Sequence, residues 1–133
     1  MSVHKLSIYN TKCYISSGDP SIRIFNSKLF ARFVRKNSIR DSDLCNAVDE
    51  LVAGSIDADL GSGVFKQRIA RQGGGKSGGF RAVTLFRHQS VAFFVYGFAK
   101  KDSANIDSEQ LRQFRRLAKF LLTLDEAALD HAT

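Results

Sequence analysis

The segment Val91–Phe98 constrains the fold most strongly. It reads Val-Ala-Phe-Phe-Val-Tyr-Gly-Phe. Successive side chains of a strand point to opposite faces, so both faces of this strand are apolar, which is typical of a central strand that helices cover on one side. Two other runs, Val64–Ala70 and Phe80–Phe86, are rich in β-branched and aromatic residues and are bounded by glycine or polar turns. We therefore predict three antiparallel strands.

Helical patterns lie before and after these strands. Apolar residues recur at helical spacing over about Ser27–Lys36 and about Asp41–Gly54, which predicts a helical hairpin after a short strand at Ile22–Phe25. Nearer the C-terminus, Asp107 is a good helix N-cap, and Gln110 stands three residues later, as in a capping box. The predicted class is α+β, with a helical hairpin followed by a small antiparallel sheet and a C-terminal helix.

The chain of 133 residues is long enough for one domain, which we expect to span residues 22–133. Residues 1–21 show no sustained period, so we expect a poorly ordered N-terminal extension outside the core, with a short strand near Lys5–Tyr9. No apolar run approaches the roughly 20 residues that cross a bilayer, and the N-terminus lacks the apolar region of a signal peptide. We therefore expect a cytoplasmic protein.

The two cysteines, Cys13 and Cys45, are not spaced as a CxxC pair and have no neighbouring histidine ligands. This pattern supports neither a zinc site nor a disulfide framework. Because Cys45 falls on the apolar stripe of the second predicted helix, we expect it to be a small buried hydrophobic residue.

The positive charge is concentrated in one stretch, Gly61–Lys101, which contains no Asp or Glu. Its eight basic residues are Lys66, Arg68, Arg71, Lys76, Arg81, Arg87, Lys100 and Lys101. Of the 20 basic and 13 acidic residues in the chain, 12 basic ones and all the acidic ones lie elsewhere, so this stretch accounts for the whole net charge of +7. A nucleic acid is the expected partner. The alternatives are an anionic membrane, an acidic protein or a solubilising surface, although the last usually mixes both signs.

The glycine-rich run Arg71–Gly79 is similar to a phosphate-binding loop only at its end, Gly75–Ser77. Ala70 occupies the position of the first glycine, and the run joins two predicted strands where a Walker motif opens a helix. We therefore expect no nucleotide hydrolysis and no cofactor. A hairpin loop whose Lys76 and backbone amides approach RNA phosphates is the favoured interpretation, and a plain loop is the alternative.

Strand alternation groups the charged residues. Lys66 and Arg68 are two residues apart and share one face of their strand, whereas Phe65 and Ile69 occupy the other. A basic face over an apolar face suits a sheet that binds nucleic acid. Tyr96 lies in the third strand and is either part of that surface or a core tyrosine with a satisfied hydroxyl.

Several short motifs in order carry a resemblance to a known family. The segments Val64–Arg71, Gly75–Arg81 and Phe93–Lys100, followed by an Asn-Ile-Asp helix start, resemble the HigB branch of the RelE/ParE superfamily of type II toxins over about Arg23–Leu124. The resemblance implies a RelE-like fold with a curved antiparallel sheet. It also implies cleavage of mRNA in the ribosomal A site and neutralisation by a co-encoded antitoxin with a helix-turn-helix. ParE-like members poison DNA gyrase without cleaving RNA, so that function, or simple nucleic-acid binding, is the alternative.

The resemblance also implies the site residues. The catalytic positions it indicates are Lys66, Arg68, Arg81, Tyr96 and Lys100. It also indicates Lys76, as a basic loop position, for contact with RNA or the ribosome, and we expect Arg71, Arg87 and Lys101 of the basic stretch to make such contacts too.

The absence of acidic residues agrees with this chemistry. Without carboxylates, Gly61–Lys101 cannot build the metal cage of a two-metal nuclease. Cleavage would use the ribose 2′-hydroxyl of the substrate as an in-line nucleophile, with cationic groups holding the charge of the phosphorane. A lysine among arginines is a candidate general base, and Tyr96 a candidate acid or base-stacking group. His88, in a predicted turn, is expected to be a solvent-exposed turn residue.

Overall fold

The computed structural model describes residues 9–12, 22–69, 79–87, 91–99, 106–124 and 128, with the first of these ranges described for its backbone only. Within these residues the chain forms strands and helices in the order β1 (Tyr9–Lys12), β2 (Arg23–Asn26), α1 (Lys28–Lys36), α2 (Asp41–Val52), β3 (Ala58–Gly61), β4 (Val64–Ile69), β5 (Phe80–Arg87), β6 (Val91–Ala99) and α3 (Ser108–Leu121). The α+β class is confirmed, as is each of the three predicted central strands to within one residue. The strand predicted near Lys5–Tyr9 lies outside the described residues except for Tyr9, where β1 begins.

The sheet has the strand order β1-β2-β6-β5-β4-β3. Strands β4, β5 and β6 form the predicted antiparallel core, but β2 pairs with β6 in parallel. The sheet is therefore mixed: the predicted antiparallel strands are present, and β2 joins them in parallel. Local propensity reveals that β2 is a strand and says nothing about its partner, because the long chain between β2 and β6 allows either direction.

Helices cover both faces of the central strand, not one face as predicted. On one face, α1 and α2 enclose a core that includes Phe30, Leu44 and Phe94. On the other, α3 packs over a core that includes Phe25 and Leu85. This double cover explains why Val91–Phe98 is apolar at nearly every position.

Helix α1 sits very close to β6. A Cβ atom on Gly97 would lie 2.5 Å from Cδ2 of Phe33, so only glycine accommodates the helix there. Ser27 fixes the beginning of α1, because its hydroxyl accepts from the Phe30 N–H and donates to the Val95 carbonyl at 3.0 Å. Ser27 is therefore the N-cap of α1, and the same residue anchors the helix to the sheet.

A buried polar pair joins α2 to the sheet. Gln67 is fully buried; its Nε2 donates to the Ala47 carbonyl at 2.9 Å, and its Oε1 accepts from Thr84 Oγ1 at 2.7 Å. Both polar ends of the amide are satisfied, so the buried glutamine tolerates its apolar surroundings. Gln67 lies between Lys66 and Arg68 in β4, so its two bonds also hold the strand that carries these residues. The side chains of Lys66 and Arg68 point to the opposite face.

The capping box predicted for α3 is confirmed. Asp107 Oδ1 accepts from the Gln110 N–H at 2.7 Å, and Gln110 Oε1 accepts from the Asp107 N–H at 3.3 Å.

Among the described residues, no helix has both the length and the apolar character needed to cross a membrane.

Cys45 departs from its prediction. It packs against the core below α1 and α2, as expected, but it is only half-buried and it is disulfide-bonded. The cysteine pattern of the sequence did not support a disulfide, and that interpretation is therefore wrong. Cys13, the other cysteine of the sequence, lies outside the described residues.

Candidate functional site

The register of β4, β5 and β6 brings most of the predicted catalytic residues onto one face. Lys66 pairs with Val83, which pairs with Tyr96, and these three form one row across the sheet. Arg68 pairs with Arg81 in the next row. Because directly paired residues point to the same face, the three cations and the tyrosine share the face that α3 covers.

The end of this face that carries the basic residues is more exposed to solvent than the other end. Along β4, the exposure of the side chain rises from buried Val64 through half-buried Lys66 to exposed Arg68. Strand β5 shows the same gradient, because Leu85 and Val83 are buried whereas Arg81 is half-buried. Helix α3 therefore covers only one end of the face. We name Lys66, Arg68 and Arg81 at the open end the basic cluster.

Two guanidinium groups of the basic cluster converge on Gly79. A Cβ atom built on this glycine would lie 3.1 Å from Nε of Arg68 and 3.5 Å from Nη1 of Arg81. Because Gly79 has no side chain, both guanidinium groups can approach its backbone, and they lie close to each other there. Planar, permanently charged guanidinium groups suit phosphate oxygens, so this pair of guanidinium groups is a candidate phosphate site.

Tyr96 belongs to an aromatic group beside the basic cluster. Its ring lies 5.9 Å from that of Phe98, which pairs with Arg81, and 6.0 Å from that of Phe114 on α3. A β-bulge between Thr84 and Val83 shifts the register, which allows Phe93 and Tyr96 to share a face although they are three residues apart. Tyr96 is half-buried, so it is neither a fully enclosed core tyrosine nor a fully exposed one.

Arg87 lies away from the basic cluster. It stands six residues from Arg81 on β5, a distance of about 20 Å along a strand. Its guanidinium donates to the carbonyls of Leu122 and Leu124 at the end of α3. These bonds satisfy carbonyls that a helix C-terminus leaves without partners, so the structure gives Arg87 a structural role.

The other predicted site residues lie outside the described part of the chain. They are Lys100 of the catalytic set, and Arg71, Lys76 and Lys101 of the RNA- or ribosome-binding set. Their predicted roles stay predictions, as does the exposure of His88.

Asp57 is a member of the site that sequence reasoning missed. It precedes β3, and its Oδ2 lies 2.6 Å from Nε of Arg81. The acid-free stretch begins only four residues later in the sequence, so the basic cluster contains a carboxylate that the linear charge pattern did not reveal. The signal that could have found it is β3 itself, because a hairpin before Val64–Ile69 brings its first residues beside β4.

Comparison with known proteins identifies the family of this chain. No curated protein matches the chain. The family model described as RelE toxin of the RelE / RelB toxin-antitoxin system matches residues 22–133. This match covers α1 to α3 and the whole basic cluster, and it implies a cognate antitoxin as partner. The chain therefore belongs to the RelE toxin family of toxin-antitoxin systems.

Proposed function

We propose that this toxin is an endoribonuclease that acts in the cytoplasm, cleaving mRNA in the ribosomal A site and so stopping translation. The convergence of Arg68 and Arg81 on Gly79 is the observation that carries the proposal. During in-line attack on a phosphodiester, negative charge accumulates on the nonbridging oxygens. Two guanidinium groups that meet beside Gly79 would stabilise that charge more strongly in the transition state than in the ground state.

The reaction needs no group from outside the RNA and the protein. The ribose 2′-oxygen attacks the adjacent phosphorus while a base, for which we propose Lys66, takes its proton. The P–O5′ bond then breaks, and an acid, Tyr96 or Lys100, donates a proton to the departing 5′-oxygen. The products are a 2′,3′-cyclic phosphate and a 5′-hydroxyl. The aromatic group around Tyr96 gives that residue a second proposed role, stacking on a base next to the scissile phosphate.

The remaining proposed contacts concern the partners. Arg71, Lys76 and Lys101 would bind the RNA backbone or the ribosome, whereas Arg87 is left out of the proposed site because of its bonds to α3. We propose that the cognate antitoxin has a helix-turn-helix and is acidic where it meets the basic cluster, since opposite charge is the direct means of blocking a polyanion site.

The test uses purified toxin, programmed ribosomes and two mRNAs that differ only in a 2′-deoxy sugar at the scissile position. The normal mRNA should be cut to fragments with 5′-hydroxyl ends, whereas the 2′-deoxy mRNA should bind and stay intact. Arg81→Ala and Lys66→Ala should each slow cleavage on the order of 100-fold, the effect of losing one preorganised charge-stabilising group. Fragments with 5′-phosphate ends would contradict the mechanism, and DNA breaks in expressing cells with intact mRNA would favour gyrase poisoning.

A further inference from the structure

A backbone hydrogen bond places the carboxylate of Asp57 beside the basic cluster. The Asp57 N–H donates to the Lys66 carbonyl at 2.9 Å, which attaches the residue to the middle of β4. From there Oδ2 reaches Nε of Arg81 at 2.6 Å. The Arg81 side chain is 17% exposed and that of Asp57 34%, so the pair is partly shielded from water. A shielded contact of this length is a charge-assisted hydrogen bond, stronger than an exposed surface ion pair.

The contact occupies one edge of the guanidinium. Asp57 takes the Nε position, whereas Nη1 of Arg81 lies beside Gly79 and the guanidinium of Arg68, where it donates a long hydrogen bond of 3.5 Å to the Phe80 carbonyl. The planar guanidinium has its donors in a rigid fork, so fixing Nε also fixes the directions of the terminal N–H groups. The carboxylate thus orients Arg81 from the side that faces away from the candidate phosphate site.

Two physical effects make this arrangement useful. The guanidinium groups of Arg68 and Arg81 lie close together beside Gly79 and repel each other, and a carboxylate bonded to one of them offsets that repulsion. Arginine also has many rotamers, and a partner that selects one of them before RNA binds lowers the entropic cost of reaching the transition state.

We propose that Asp57 is a positioning residue that holds the Arg81 guanidinium ready for the scissile phosphate without touching the RNA itself. This inference rests on the proposed endoribonuclease function. Its alternative is that Asp57 simply competes with phosphate for Arg81. The two possibilities predict opposite signs for Asp57→Asn, which keeps the size of the side chain and raises the formal charge by one. Loss of positioning slows cleavage while binding stays equal or tightens, whereas loss of a competitor speeds cleavage.

The kinetic experiment is single-turnover cleavage of mRNA on programmed ribosomes over a range of toxin concentrations. Asp57→Asn should lower the rate at saturation by at least tenfold and leave the half-saturating concentration equal or lower, and Asp57→Glu should recover part of the rate. Asp59→Asn is the matched control: Asp59 lies two residues further on, is exposed, and accepts from the Gly61 N–H at 2.9 Å. This control should behave as wild type.

A second measurement is independent of catalysis and of the folding of any variant. In wild-type toxin labelled with nitrogen-15, Nε–H of Arg81 should give a resolved, slowly exchanging NMR signal because of its bond to Asp57. A rapidly exchanging Arg81 Nε–H, or an Asp57→Asn protein that cuts at the wild-type rate or faster, would overturn the inference. If wild-type toxin cuts no mRNA while the Arg81 signal is protected, the proposed function fails and the Asp57–Arg81 contact stands.

Discussion

Replacing Gly79 with alanine should separate activity from stability. The backbone of Gly79 lies outside the left-handed region, so alanine can adopt it without strain. Such a substitution commonly adds about 0.4–1 kcal/mol of stability, because it restricts the unfolded chain. Against this, the new Cβ would meet Nε of Arg68 at 3.1 Å. That atom belongs to an exposed, flexible side chain, which can move by the few tenths of an ångström required. We expect the free energy of unfolding to stay within about 1 kcal/mol of wild type.

The effect on cleavage should be much larger. The added methyl group presses on the guanidinium of Arg68 and displaces it from Arg81, and these are the two groups proposed to hold the scissile phosphate. Complete loss of one preorganised donor costs about 10²–10³-fold, and tenfold corresponds to about 1.4 kcal/mol of barrier. A partial displacement should therefore slow single-turnover cleavage by roughly tenfold to a hundredfold.

A double-mutant cycle with Arg68→Ala gives this prediction its sharpest control. Part of the effect of the Gly79 methyl is exerted through Arg68, so Gly79→Ala should cost clearly less in the Arg68→Ala background than in wild type. Urea unfolding of all four proteins checks that the comparison concerns folded molecules. Wild-type cleavage by Gly79→Ala, or fully additive losses in the cycle, would refute the idea that the two arginines converge there on a phosphate.

Two further predictions concern the scaffold. Phe94→Ala should lower the free energy of unfolding in urea by about 3–5 kcal/mol, because the ring is fully buried and stacks on Phe30 at 5.1 Å. Leu117→Ala should cost clearly less, since Leu117 is only partly buried and lines an open groove beside Phe120; equal losses would contradict this account of the two positions. Arg87→Gln should lower stability by about 1 kcal/mol through loss of its bonds to the end of α3, with cleavage unchanged. A cleavage defect at unchanged stability would return Arg87 to the RNA site.

The sequence by itself determined where helices and strands form and which side chains of each strand share a face. The apolar pattern of Val91–Phe98 specified a central strand, and the residues around Asp107 specified a helix start that the structure confirms to the residue. Alternation alone separated Lys66 and Arg68 from the apolar face of β4. These conclusions hold because burial selects side chains at a period of two or 3.6, and that period is written in adjacent residues.

The tertiary structure alone decided which elements meet. The parallel pairing of β2 with β6, the contact between Asp57 and Arg81, and the bonds of Arg87 to the end of α3 all depend on how the elements are arranged in space. The bulge near Tyr96 is also a feature of the tertiary structure. Its one extra residue changes which face of the sheet the following side chains point to, so simple alternation predicts the wrong face for them. A contact between residues that are far apart in the chain produces no repeating pattern among neighbouring residues of the sequence. Their contacts follow from the packing of both sheet faces against helices, which only the assembled fold contains.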